Sequence, residues 1–317
     1  MNFKKNKFLL GILLGVIVGL AWGLDGVLMG EVGKSSIFSN FELSPLVTAL
    51  FHDGFAFFWI ALSLVFSKQL VGAFKLLKTK KGLVTIVAAI VGAPVGMSAY
   101  LLAIKYAGAP YASSISVIYP GVGAILSYFI LKEKLSVRAM VGIAVSLFGS
   151  FMLGFNPSAD VPETFFKGVL FALVAVAGWA LEGVIVGFAM KKIKNGEHIQ
   201  ATPQQFLCVR YLTSLLSYAL VGGYEVAGKV ISSGLVFKYA GIAILGAITY
   251  LAWYKAVNLI GAAMGTALNS TASLWSIIFS ALLFGAKITL PLAIWGCVIV
   301  LGVFIFAIDP KSFKKKK

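Results

Sequence analysis

The chain has 317 residues, of which 60% are hydrophobic and only 12% are charged, whereas roughly a quarter of an average soluble protein is charged. Its net charge of +16 does not indicate a nucleic-acid partner, because the lysines lie between apolar runs and form no basic face with exposed aromatic residues. The composition excludes a soluble globular domain and predicts an all-α integral membrane protein.

Apolar runs of about 20 residues, long enough to cross a hydrocarbon core of roughly 30 Å, recur along the whole chain. The first follows Lys4, Lys5 and Lys7 as in a signal peptide, but no small-residue cleavage site comes after it, so we expect an uncleaved helix. The runs predict ten transmembrane helices at residues 8–30, 45–67, 83–104, 109–131, 135–155, 167–190, 204–224, 236–257, 260–284 and 288–308.

The basic residues predict the orientation of these helices. Of the 27 lysines and arginines, 20 fall on segments at one side of the predicted bundle, six fall at the other side, and Arg210 lies within a span. Because loops rich in lysine and arginine stay inside the cell, we expect a multi-pass protein of the cell membrane with both termini in the cytoplasm.

Two stretches share one pattern: AWGLDGVLMG at residues 21–30 and GWALEGVIVG at residues 178–187. Each contains a tryptophan, a small residue, leucine, an acid, glycine and valine in the same order. They lie 157 positions apart, which is about half of the chain. The pattern indicates an internal repeat.

Other correspondences follow in the same order. SPLVTALFH at 44–52 matches TPQQFLCVR at 202–210, and AIKYAGA at 103–109 matches AVNLIGA at 256–262. We therefore predict two five-helix repeats, at residues 1–155 and 156–317. Since five is an odd number, the second repeat enters the membrane inverted, an architecture typical of secondary transporters.

Both halves of the opening pattern place a carboxylate beside a tryptophan. Residues three apart share a helix face, so Trp22 lies with Asp25 and Trp179 lies with Glu182. A carboxylate near the membrane centre costs about 2.5–3.5 kcal/mol on insertion scales, and it should face a cavity or a partner. The alternatives are that each acid pairs with a basic residue, or that Asp25 reaches water at the outer end of its span.

Span two carries His52 and Asp53, and span seven carries Arg210 at the position that corresponds to His52. Neighbours on a helix point about 100° apart, so His52 and Asp53 need not pair. His52 can exchange a proton near neutral pH and is a candidate coupling residue, although a satisfied core histidine fits equally well. Arg210 is interpreted as the structural partner of a buried acid.

Aromatic residues accompany these charges in the spans of both halves. The acids outnumber the bases within the spans, and this balance favours a positively charged passenger. Aromatic faces around a desolvated cation contribute roughly 2 kcal/mol each. The candidate substrate-binding residues are Trp22, Asp25, Tyr100, Tyr119, Trp179, Glu182 and Trp253.

Span four contains YASSISVIYPG at residues 111–121, in which Pro120 predicts a kink beside Tyr119. Its counterpart, TALNSTASLWS at 266–276, contains Asn269 but no proline. Small polar residues of this kind usually serve helix packing.

The segment FILKEKLSVRAMVGIAVSLFGSFML at 129–153 resembles the signature of the drug/metabolite transporter superfamily, in its EamA-like ten-helix group, with Glu133 in the acidic position. The second half repeats it as LLFGAKITLPLAIWGCVIVLGVFI at 282–305, but Ala286 replaces the acid. The resemblance covers nearly the full length.

Within that superfamily, four segments resemble the LicB-type choline permeases: FHDG at 51–54, GAPVGMSAYLLAIKY at 92–106, SSISVIYP at 113–120 and GWALE at 178–182. This resemblance implies a quaternary ammonium passenger held by aromatic residues near a carboxylate. Position by position it points to Trp22, His52, Tyr100, Tyr119, Trp179 and Glu182.

The resulting expectation is a secondary transporter that imports choline or a related ammonium compound by alternating access, driven by protons or by the membrane potential. The alternative is a multispecific exporter of amino acids or cationic metabolites and drugs on the same fold. No metalloprotease motif, acidic metal cluster or Gly-rich phosphate loop occurs, so we expect neither an enzyme nor a cofactor or metal.

Overall fold

The computed structural model describes residues 2–39, 41, 44–107, 112, 115–154, 163–190, 201–220 and 222–307. Within these ranges all regular structure is helical and no strand occurs. The predicted boundary between the repeats, and residues 113 and 114 of SSISVIYP, lie outside them.

Within the described ranges, the elements of the first half whose bounds are defined are seven helices, one π-helical segment and a short 3₁₀ turn at Ser36–Phe38. The helices are α1 (Asn2–Gly33), α2 (Ser44–Phe66), α3 (Leu70–Leu77), α4 (Lys80–Ile90), α5 (Ser98–Ala107), α6 (Tyr119–Ile130) and α7 (Val137–Gly154), with the π-helical segment Val91–Met97 between α4 and α5.

The described part of the second half has seven further helices and a 3₁₀ turn at Leu268–Thr271. They are α8 (Phe165–Met190), α9 (Pro203–Ala219), α10 (Tyr224–Ser232), α11 (Leu235–Ile260), α12 (Ala262–Ala267), α13 (Ala272–Phe284) and α14 (Leu290–Ala307). The start of α9 shows why its sequence folds this way: Pro203 occupies the first turn, and Thr202 and Gln205 form a reciprocal capping box.

Six helical stretches of the described chain are long and apolar enough to cross a membrane, or seven if the bent pair α9 and α10 is one span. Three shorter apolar helices, at Tyr119–Ile130, Val137–Met152 and Leu290–Ile305, lie at three further predicted spans. The all-helical class is therefore confirmed for the described residues, whereas the count of ten spans stays a prediction.

Span four is interrupted rather than kinked at Pro120. Val117 and Ile118 form a turn, and α6 begins afresh at Tyr119 with Pro120 in its first turn. The missing proline N–H costs nothing there, because the first amides of a helix have no intrahelical partner.

The two halves interlock, and each packs against the other through corresponding helices. Helix α1 packs against α11 and α13 of the second half, while α8 packs against the π-helical segment, α5 and α6 of the first half. Helix α2 pairs with α9, and α7 pairs with α14. The same contacts recur when the halves are exchanged, as expected for two repeats related by an internal two-fold axis.

Helix α1 lies along the second half for most of its length. A Cβ at any of four glycines spaced four residues apart would collide with a second-half residue. The pairs are Gly11 with Ile260, Gly15 with Leu268, Gly19 with Thr271, and Gly23 with Trp275. This stripe brings the two backbones close together.

The ends of α6 and α13 also correspond. Lys132 has φ 56° and Gly285 has φ 67°, and these two left-handed residues lie 153 positions apart. The offset equals that between AIKYAGA and AVNLIGA, so the sequence repeat and the backbone conformation agree.

Candidate functional site

One cavity of about 530 Å³ lies where the two halves meet. All nine residues singled out by the sequence line it, and they come from seven helices of both halves. They are Trp22, Asp25, His52, Tyr100, Tyr119, Trp179, Glu182, Arg210 and Trp253.

The cavity reaches one end of the helical bundle. Its wall extends to Gly30 and Gly33 at the end of α1 and to Ser44 and Pro45 at the start of α2. We call this the mouth end. According to the predicted orientation, the mouth faces the outside of the cell.

In the first half, an acid of α1 pairs with a base of α2. Asp25 Oδ1 lies 3.1 Å from Nε2 of His52, and Asp53 Oδ1 lies 3.0 Å from Nδ1 of the same ring. A neutral imidazole has one N–H and one acceptor nitrogen, so it can donate to only one of these carboxylates. Both contacts are favourable together only when the ring carries two protons and a positive charge.

In the second half, an acid of α8 pairs with a base of α9. Arg210 donates from Nε to Glu182 Oε1 at 3.1 Å and from Nη1 to Asp53 Oδ2 at 2.9 Å. Its third contact is a 2.6 Å hydrogen bond from Nη2 to the hydroxyl of Tyr250, and Ser214 also donates to Asp53. Asp53 therefore joins the two acid–base pairs.

These five side chains form one buried group, which we call the charge chain: Asp25, His52, Asp53, Arg210 and Glu182. With a protonated His52 it has three negative and two positive members, so its net charge is −1. Removing the histidine proton makes it more negative. Buried charges of this kind persist only when they are paired and hydrogen-bonded.

From the sequence, His52 and Asp53 were not expected to need to pair, but in the structure their side chains lie within hydrogen-bonding distance. It also places Glu182, which is only 1% exposed, on Arg210 rather than free in the cavity. Asp25 has His52 as its one hydrogen-bond partner among the described residues, whereas Asp53 has three partners.

Aromatic rings form two clusters on the cavity wall. Trp22 lies 5.7 Å from Tyr250, which contacts Trp253 at 5.5 Å between ring centroids. In the other cluster, Trp179 lies 5.3 Å from Tyr100 and 5.6 Å from Tyr119. Each tryptophan of a first span thus packs on a tyrosine from the third span of the other half.

The π-helical segment lets α8 approach closely. A Cβ at Gly92 would come 1.9 Å from Glu182 Oε2, and a Cβ at Gly96 would come 3.1 Å from Trp179. Only glycine fits at position 92. Single-turn π-helices often occur at functional sites, and this one positions both the acid and the tryptophan of the second half.

The cavity wall also contains residues outside the set of candidates, among them three polar ones of the second half. Tyr250 binds Arg210 and packs on Trp22, and Asn269 donates to the Tyr119 hydroxyl at 2.9 Å. Thr249 is the third. The sequence signal for Tyr250 was its place in an aromatic span, while Asn269 was noted only as a polar residue of span nine.

A second cavity of about 390 Å³ shares five wall residues with the first: Trp22, Met97, Tyr100, Tyr119 and Trp179. The aromatic layer therefore separates two spaces. Among the described residues, no cluster of three or more histidine, cysteine or acidic side chains could hold a metal ion.

An all-helical apolar chain of two interlocked halves, with a polar and aromatic cavity between them, is the architecture of a multi-pass membrane transporter. Comparison with known families agrees, since the model of the EamA-like transporter family matches residues 9–155 and again residues 166–308. The chain belongs to this family, and it is a transporter rather than an enzyme.

Two curated proteins are similar to the chain. Protein LicB of Haemophilus influenzae is 28% identical over 278 residues, which cover 86% of this chain and 89% of that protein. An uncharacterized transporter of Clostridium kluyveri is 28% identical over 204 residues, covering 60% of this chain and 61% of its own. The LicB match supports the LicB-like resemblance within the drug/metabolite transporter superfamily.

A solved crystal structure superposes on 93% of this chain and 95% of its own with a TM-score of 0.70. The sequence identity is 17%, so this likeness concerns the fold alone.

Proposed function

We propose that this transporter imports choline or a closely related quaternary ammonium compound by alternating access. The observation that carries the proposal is one cavity in which aromatic rings from both halves surround a buried group of net negative charge. The similarity to Protein LicB, together with the resemblance of four segments to the LicB-type choline permeases, supports the same passenger.

A quaternary ammonium ion has no N–H to donate, so aromatic faces can replace its loosely held water. Each desolvated face contributes about 2 kcal/mol. In the proposed site Trp22, Trp179 and Tyr119, with Tyr100 or Trp253, form the cage. These rings lie in the two clusters that meet at the cavity wall.

The charge chain selects for positive charge. Asp25, whose described partner His52 can lose its charge, would be the direct counter-charge, while Glu182 and Asp53 act through the field that Arg210 only partly cancels. A passenger with its own carboxylate, such as a betaine, would bring a second negative charge to this group. We therefore expect weaker binding of betaine than of choline.

The proposed energy source is the membrane potential. His52 is the proposed residue for an additional coupling of import to protons. The potential favours entry of one positive charge by about 2.3 kcal/mol per 100 mV, so import does not require coupling. Separating α1 from α2 would withdraw Asp25 from His52, and the ring could then release its second proton.

The proposal is tested by uptake of labelled choline into proteoliposomes and by the choline-dependent thermal shift of purified protein. Trp179→Leu should weaken binding by about 2 kcal/mol, or roughly thirtyfold. The matched control is Trp59→Leu, because Trp59 donates to the carbonyl of Ala240 and is not part of the cavity wall.

Absence of both uptake and thermal shift would contradict the choline assignment. Net efflux from choline-loaded vesicles whose membrane potential is negative inside would favour the exporter alternative. An equal loss of affinity in both tryptophan variants would contradict the aromatic cage.

A further inference from the structure

Glu133 holds the start of a helix in the other half. It lies in the connection between α6 and α7, where its Oε1 accepts from Ala262 N at 3.0 Å and its Oε2 accepts from Ala263 N at 3.1 Å. These are the first two amides of α12, and such amides have no partner within their own helix. A carboxylate of the first repeat therefore caps a helix of the second.

The contact depends on Gly261, which has φ 92°. A Cβ at this position would come 2.9 Å from Glu133 Oε2. Glycine therefore allows both the left-handed backbone and the close approach of the carboxylate.

This cap lies at the end of the bundle opposite the mouth, which we call the closed end. Gly11 of α1 faces Ile260, next to the cap, whereas Gly30 of the same helix lies at the mouth. At 1.5 Å per residue, the two positions are about 28 Å apart. Buried apolar residues, including Leu131, Val184 and Val257, fill the space at the closed end.

The mirror-image contact cannot form at the mouth end. The offset of 153 residues that relates AIKYAGA to AVNLIGA pairs Glu133 with Ala286 and Ala263 with Pro110. The side chain of alanine has no acceptor to offer an amide, and proline has no N–H to donate. The mirror-image contact therefore lacks its carboxylate in the second half and one of its donors in the first half.

We infer that Glu133 is a one-sided latch: it holds the closed end shut and biases the transporter toward the state with an open mouth. Two interlocked repeats alternate access by rocking against each other, so opening the closed end must pull the α6–α7 connection away from α12. The inference rests on the transporter family and not on the choline assignment.

The test measures how often the closed end opens. In a background of Cys208→Ala and Cys297→Ala, Val257→Cys places a thiol at a residue that is buried at the closed end. The rate of its reaction with N-ethylmaleimide in detergent reports opening. Glu133→Ala should raise this rate about tenfold, equivalent to about 1.4 kcal/mol, and Glu133→Gln should raise it less.

Lys134→Gln is the matched control, because this exposed residue lies in the same connection and makes no contact with α12 in the described hydrogen bonds. Its labelling rate should equal that of the parent. Gel filtration and the thermal midpoint establish that each variant is folded.

A second variant separates a latch from local fraying of α12. Ala286→Glu with Pro110→Ala supplies, at the positions that correspond in sequence, the carboxylate and the N–H that the mirror contact needs, and it leaves the closed-end residues unchanged. It should also raise labelling at Val257→Cys, because it stabilises the alternate state. Unchanged labelling in a folded Glu133→Ala protein, or in this double variant, overturns the inference.

Discussion

The two halves place an acid–base pair at corresponding positions, but with different chemistry. Asp25 and His52 of the first half lie 3.1 Å apart, and Glu182 and Arg210 of the second half lie at the same distance. Histidine can lose its charge under physiological conditions, whereas arginine keeps it. The second half therefore carries a fixed charge, and the first half carries one that can be switched.

The largest expected effect comes from breaking the fixed pair. Arg210→Leu leaves Asp53 and Glu182 buried without their cation, which should lower the free energy of unfolding by about 3–5 kcal/mol. Thermal unfolding in detergent measures the loss. Arg138→Leu is the control, since Arg138 is the other arginine of the chain and lies outside the charge chain; equal destabilisation by both variants would argue against this role for Arg210.

A smaller effect compares the two acids. Asp25→Asn and Glu182→Gln each remove one negative charge, and each should weaken choline binding by about 1–2 kcal/mol, the Coulomb energy of unit charges roughly 8–16 Å apart at an effective dielectric constant of 20. Asp25→Asn should lose more, because Arg210 always cancels part of the Glu182 charge, whereas His52, the partner of Asp25, can lose its charge. Isothermal titration measures both affinities. An unchanged affinity in Glu182→Gln would remove that residue from the counter-charge role.

The smallest loss of binding is expected at the switchable base. His52→Gln can still donate to a carboxylate and carries no positive charge, so choline affinity should equal or exceed that of the parent. What should disappear is the stimulation of uptake by an imposed proton gradient, while uptake driven by the potential alone persists. Parallel flux measurements under each gradient test this. Proton-driven stimulation that survives in His52→Gln would place coupling elsewhere.

Much of the site could be predicted because burial in a membrane is informative at single positions. Asp25 and Glu182 stand out since a carboxylate in hydrocarbon needs a compensating partner or a cavity. Their partners were harder to assign. Asp53 contacts both His52 and Arg210. Adjacent residues such as His52 and Asp53 leave a helix in different directions, but the torsion angles of their side chains bring the two ends together. Helical geometry alone does not show this contact.

Glu133 shows a different limit of sequence reasoning. The sequence showed Glu133 within a family signature, and it showed that the second half has alanine, Ala286, at the corresponding position. That its carboxylate caps α12 could not be predicted, because Ala262 follows 129 positions later and the contact exists only after the halves interlock.

The sequence by itself determined the helical class, the repeat and the charged and aromatic positions, because each depends on local composition and on the cost of placing polar groups in an apolar medium. Only the tertiary structure decided which acid meets which base, which rings share a wall and which end of the bundle is shut. Those features arise from contacts between residues far apart in the chain, whose distances are set by how helices of the two halves pack.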